Sequence, residues 1–143
     1  MEHWSIEDYK NFTNGKIKKT KYRANKTSID GHTFDSKKEA EYYCELKWKL
    51  QANEINGFCL QPTFMLAPGL KYKADFMVYH NDGSIQVIDV KGQKTADFKL
   101  KEKMFNYMYP QYNKLFCVVK YNGEWLEYDE ANKIKKSKKK NKK

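Results

Sequence analysis

The stretch "KYKADFMVYHNDGSIQVIDVKG", residues 71–92, constrains the fold of this chain more than any other. Two runs of strand-forming residues, 71–80 and 84–91, flank Asn81-Asp82-Gly83, a tight-turn sequence that joins antiparallel neighbours. Successive side chains on a strand point to opposite faces. Ile85, Val87, Asp89 and Lys91 therefore share one face of the second run. On the first run, Tyr72, Ala74, Phe76 and Val78 face one way, and Lys73, Asp75, Met77 and Tyr79 the other. A hairpin of this kind can bring Asp75 close to Asp89, with Lys91 about 7 Å further along the strand.

Two carboxylates on adjacent strands repel and are costly to desolvate. A divalent cation between them reverses that cost, and hard oxygen ligands suit Mg²⁺ or Mn²⁺. A lysine beside such a pair helps hold the charge that builds on a phosphate under attack. The competing reading is a pair of strand-end acids neutralised by lysines. In a chain that is 32% charged, an isolated D-x-K has little specificity.

The surrounding elements place the hairpin in an α/β domain. "SIEDYKNF" (5–12) predicts a short helix, and "TSIDGHTF" (27–34) a small hairpin turning at Asp30-Gly31. A helix capped by Ser36 follows, running to about Asn53. "GFCLQPTFML" (57–66) is a strand, so the meander has three. "TADFKLKEKMFNYMY" (95–109) is a helix with a Thr95 cap and a Pro110 stop. "KLFCVVKY" (114–121) is a buried strand and "EWLEY" (124–128) an edge strand. The order αβββαβ predicts a central mixed sheet flanked by helices. Residues 1–20 form an N-terminal helix and basic linker, 21–130 a single domain, and 131–143 a disordered lysine tail.

Helical periodicity puts Glu41, Glu45 and Lys49 on a polar arc, and turns Glu39 with Tyr43, Leu46 and Leu50 toward the sheet. Lys47 falls inside that apolar arc, where its stem can snorkel outward. Glu39 has a second reading, since Ser36-x-x-Glu39 is a capping box. Joined to Asp75, Asp89 and Lys91, it becomes a candidate third acid. Gln61, in an otherwise apolar strand, either orients a water or pairs with backbone at the irregularity that Pro62 implies.

Of the net charge of +10, eight lysines lie in "KIKKSKKKNKK" from Lys133 onward, which leaves the rest of the chain close to neutral. Such a tail attracts polyanions, nucleic acid foremost, or serves only solubility. Cys44, Cys59 and Cys117 are isolated from one another, which suits reduced thiols in a cytoplasmic protein. No run is long and apolar enough for a membrane span.

"SKKEAEYY", "KADF" and "VIDVKG" together resemble the PD-(D/E)XK nuclease superfamily, with the nearest likeness to small phage-encoded, Holliday-junction-resolvase-like endonucleases. Ala74 stands where the motif has proline, and Asp89 where Glu is commoner. The resemblance implies a restriction-endonuclease-like core and an Mg²⁺- or Mn²⁺-dependent endodeoxyribonuclease. In it Glu39, Asp75 and Asp89 hold the metal with the Val90 carbonyl, and Lys91 acts on the attacking water and the phosphate. It further implies a homodimer acting on branched DNA in phage recombination. Nucleic-acid contacts are expected at Lys94, Lys99, Lys101 and Lys103. The rival readings are a nicking or double-strand endonuclease on linear duplex, and an inert DNA-binding protein of the same fold.

Overall fold

The computed structural model describes residues 26–141. The expected N-terminal helix, the basic linker and Trp4 lie outside them. The chain divides into two compact units at Gly57–Phe58.

In the first unit, β1 (Thr27–Ile29) and β2 (His32–Phe34) form the expected hairpin. Asp30 and Gly31 adopt φ of 53° and 78°, the left-handed geometry this two-residue turn requires. Helix α1 (Lys37–Gln51) begins at Ser36, whose hydroxyl accepts from the Glu39 N–H at 3.1 Å. The turn is tied to this helix through Asp30, whose Oδ2 accepts from Tyr43 Oη at 2.8 Å and Lys47 Nζ at 2.6 Å. Lys47 thus has an ion-pair partner for the head group expected to snorkel. Glu41 departs from the polar arc: it is buried along with Ala40, Tyr42, Tyr43, Cys44 and Leu46, while Glu39 is half-buried. The buried surface of α1 extends round most of its circumference, so a one-stripe reading fails there.

The second unit is an α/β body on a five-stranded mixed sheet of order β3-β6-β7-β8-β9. Its strands are β3 (Ile55–Leu60, which crosses the unit boundary), β6 (Phe76–His80), β7 (Ile85–Val90), β8 (Phe116–Tyr121) and β9 (Glu124–Glu127). β6–β7 and β8–β9 are antiparallel, whereas β7–β8 is parallel and joined through helix α2 (Ala96–Met108), the usual solution for a crossover.

The three-strand meander is corrected in one respect. Its first two strands are each broken, at Gln61-Pro62 and at Ala74-Asp75, and their outer halves pair as a separate hairpin, β4 (Thr63–Ala67) with β5 (Leu70–Lys73). The cause is local. Pro62 has no N–H for a ladder, and Gln61 takes φ of 50°. Two bonds hold the break, Gln61 N–H to Asp75 O at 2.9 Å and Ala74 N–H to Pro62 O at 3.0 Å.

Phe64, Leu66, Tyr72, Ala74, Val87, Phe98, Phe105, Leu115 and Cys117 form one core cluster of this unit. Phe105 of α2 is wholly buried and meets Phe64 edge-on at 4.9 Å.

The C-terminal run expected to be disordered is helical, as α3 (Tyr128–Asn141). The Glu127 carboxylate accepts from the N–H groups of Asp129 (3.2 Å) and Glu130 (3.1 Å), which satisfies donors of the first turn. Acids at the start and lysines at the end match the helix dipole. Ala131 is fully buried, and Lys135 and Lys138 both lie against the Tyr121 ring.

Candidate metal and phosphate site

The break between β5 and β6 determines the local geometry around Asp89. β6 and β7 pair with Phe76 opposite Ile88 and Met77 opposite Val87, a register that, carried one step further, sets Asp75 opposite Asp89. Asp75 opens β6: its N–H donates to Ile88 O at 3.2 Å, and its Oδ2 accepts from the Val90 N–H at 2.8 Å. Its carboxylate thus caps β7 just where the β6 ladder ends. Asp89 is only 3% exposed. Its Oδ1 lies 3.5 Å from Lys91 Nζ, and its Oδ2 accepts a hydrogen bond from the Tyr72 hydroxyl. Lys91 also packs its ammonium over the Phe98 ring, 4.4 Å from the centroid.

Tyr72 has no part in the sequence reading, where unbroken alternation turns it away from Asp75. The break shifts the parity of the strand, so that Tyr72 of β5 reaches Asp89 of β7. Burial, then the charge and hydrogen bond of Asp89, then the charge of Asp75, push the phenol well above its ordinary range. Both carboxylates therefore act on one buried hydroxyl that is a permanent donor at neutral pH. The available signal was Gln61-Pro62, which marks the irregularity on the paired strand.

A cleft of about 220 Å³ opens over Asp89, lined by Lys71, Tyr72, Lys73, Lys91, Thr95, Asp97, Phe98 and Lys101. Thr95 caps α2 through the Phe98 N–H at 3.1 Å and so fixes the start of that helix at the cleft wall. Lys101 lines the cleft and pairs with Asp97 Oδ2 at 3.3 Å.

The other expected phosphate contacts do not share one face. At about 100° per residue, Lys99 and Lys103 share an exposed face of α2 while Lys101 lies across the helix from them. Lys94 is engaged within the protein. Its side chain is 9% exposed, bonds Glu102 Oε2 at 2.8 Å and lies over the Tyr128 ring. Burial opposes its charge, but the hydrogen bond to Glu102 and nearby negative charge outweigh this and raise its pKa. The same Glu102 oxygen accepts from the Cys117 thiol at 3.4 Å, so this acid is committed to the interior of the unit.

Gln61 is at the strand break instead of within a strand, with its backbone bound to Asp75. Val90 donates its N–H to Asp75, and the Lys91 N–H continues the parallel ladder to Val118 O at 2.9 Å. Asp75, Asp89, Lys91, Val90 and the Gln61 backbone are thus assembled in one unit; Glu39 belongs to the other. Among the described residues, no group of three or more His, Cys, Asp or Glu side chains is arranged to hold a metal. None of the described helices is long and apolar enough to cross a membrane.

Residues 19–123 match a family described as "Protein of unknown function (DUF1064)". No curated protein and no solved structure matches the chain.

Proposed function

Because the chain belongs to the DUF1064 family, whose description carries no activity, its chemistry is read from its own residues, and we propose that it is a metal-dependent endonuclease hydrolysing DNA phosphodiester bonds. The observation that carries the reading is the buried Asp89 with Lys91 at 3.5 Å and Asp75 in the facing strand position, beneath a cleft bounded by lysines. Burying a carboxylate against a tyrosine and a lysine is costly for a merely structural ion pair. The arrangement suits a centre that receives a cation and a phosphate.

The donor chemistry fits Mg²⁺ or Mn²⁺. Magnesium is commonly held by one or two carboxylates, with water and substrate phosphate filling its other positions, so it does not need an all-protein cage. Asp75 and Asp89 would supply the carboxylates, with the Val90 carbonyl as a further ligand. The bound ion would polarise the phosphate and acidify water.

Within the chain itself, Tyr72 fixes the orientation of the Asp89 carboxylate by its hydrogen bond. Lys91, 30% exposed and steadied over Phe98, presents its ammonium to the cleft. There it neutralises charge on a phosphate under attack and orients the attacking water. The αβββαβ order and the D-x-K at the end of β7 support a restriction-endonuclease-like topology. Branched DNA is the proposed substrate, cut by a C2 homodimer, because symmetric incision of a four-way junction needs two equivalent centres.

The rival reading is an inert DNA-binding protein of this fold. Incubating wild type and Asp89→Asn with four-way junctions and matched linear duplexes, with Mg²⁺, tests both. We expect junction cutting by wild type, and a drop of more than about 100-fold in Asp89→Asn, beyond the range of outer-shell changes. Equal cutting of both substrates removes the junction assignment, and no metal-dependent cutting of either, with binding retained, favours the inert reading.

A further inference from the structure

We infer that Lys71 and Lys73 of β5 form the phosphate-binding rim of the Asp89 cleft, and that they receive successive phosphates of a polynucleotide strand. This deepens the nuclease reading and rests on it, by naming where the substrate backbone lies. Strand alternation buries Tyr72 and leaves Lys71 and Lys73 exposed on either side, all three lining the cleft. Lys91 and Lys101, the other lysines of the cleft, are already engaged by Asp89 and Asp97. Among the described residues neither Lys71 nor Lys73 is in an ion pair. The excess positive charge of the cleft therefore resides on β5.

That placement answers an electrostatic problem. A buried carboxylate on the floor repels any phosphate approaching it, and cations on the rim offset the repulsion at the point of entry. Lysines two residues apart on a strand have Cα atoms about 7 Å apart. This spacing lets each ammonium meet a phosphate of its own, and it suits neighbours along a backbone. The β4–β5 hairpin exists as a separate element because of the break at Gln61-Pro62, so the same irregularity that brings Tyr72 to Asp89 sets these lysines at the cleft mouth.

The test measures binding of a short labelled duplex without metal, in EDTA, across a salt series for wild type, K71Q/K73Q and K71R/K73R. Both lysines are exposed, and circular dichroism confirms that each variant is folded; the single substitutions serve if the double does not fold. The Gln pair is expected to make the slope of log affinity against log salt shallower by about 2, near 0.9 for each phosphate no longer neutralised, and the Arg pair to restore it. A wild type that binds with a slope unchanged by K71Q/K73Q overturns this inference alone, as does an Arg pair that behaves like the Gln pair. A wild type that binds no duplex overturns this inference as well, whereas the nuclease reading falls only with the cutting assay on junctions and duplexes.

Discussion

Tyr72 is the residue through which the site acts on its own geometry. Its hydroxyl is buried, donates to Asp89, and is kept protonated first by burial and then by the two neighbouring carboxylates. A hydrogen-bonded partner that fixes a ligand carboxylate commonly contributes 10–100-fold, by rough order, in metal affinity or activity. We expect Tyr72→Phe to raise the Mg²⁺ concentration needed for half-maximal cutting by about that range, with metal-free DNA affinity unchanged. Isothermal titration with Mn²⁺ supplies a readout independent of turnover. An unaltered metal dependence in both measurements shows that the phenol only fills space. Asp89 and Lys91 were legible from the sequence because period-two alternation within one regular strand fixes their shared face. Tyr72 was not, because its position depends on a break whose parity shift alternation cannot express. The partner of Lys94 was hidden for another reason: Glu102 lies eight residues away on α2, a pairing that local sequence does not specify.

At the scale of elements, the hairpins and helices with strong local signals were readable, since Asp30-Gly31, Asn81-Asp82-Gly83, Ser36 and Thr95 each specify a turn or cap chemically. The strand break was signalled only by Pro62, and its consequence, a separate β4–β5 hairpin, follows from how two chain segments share the irregularity. Gln61 is the hinge of that arrangement, a non-glycine residue at φ of 50° whose N–H holds Asp75 O. The left-handed region costs an ordinary residue roughly 1–2 kcal/mol, which glycine escapes at the expense of unfolded-state entropy. Gln61→Gly is therefore expected to leave stability within about 1 kcal/mol of wild type, as read by urea denaturation. It also removes the side chain while keeping the backbone bond. Retained cutting assigns Gln61 to the backbone alone, whereas a loss of activity without loss of stability assigns its amide to the attacking water.

At the scale of the whole molecule, charge is the property that composition announces and that the fold redistributes. Eight of the lysines lie beyond Asn132, and those from Lys133 to Lys140 are carried on α3 instead of on a disordered tail. Lys135 and Lys138 contact Tyr121, so one side of the helix is held to the sheet. By helical spacing Lys133, Lys136 and Lys140 form a ridge on the other side. Like charges three and four residues apart repel, and a phosphate backbone relieves that repulsion by displacing the counterions that otherwise screen it. A membrane partner is the poorer match: α3 has no broad apolar face, with Ile134 the one exposed residue among its larger apolar side chains. Truncation after Asn132 keeps the buried Ala131 and removes the ridge. We expect it to weaken DNA binding and to lower the salt slope by about 0.9 for each lysine that had met a phosphate, while metal-dependent cutting at low salt persists because Asp75, Asp89 and Lys91 are untouched. An unchanged slope reduces the lysine helix to a solubility element, and a loss of cutting at low salt places part of the catalytic apparatus in α3.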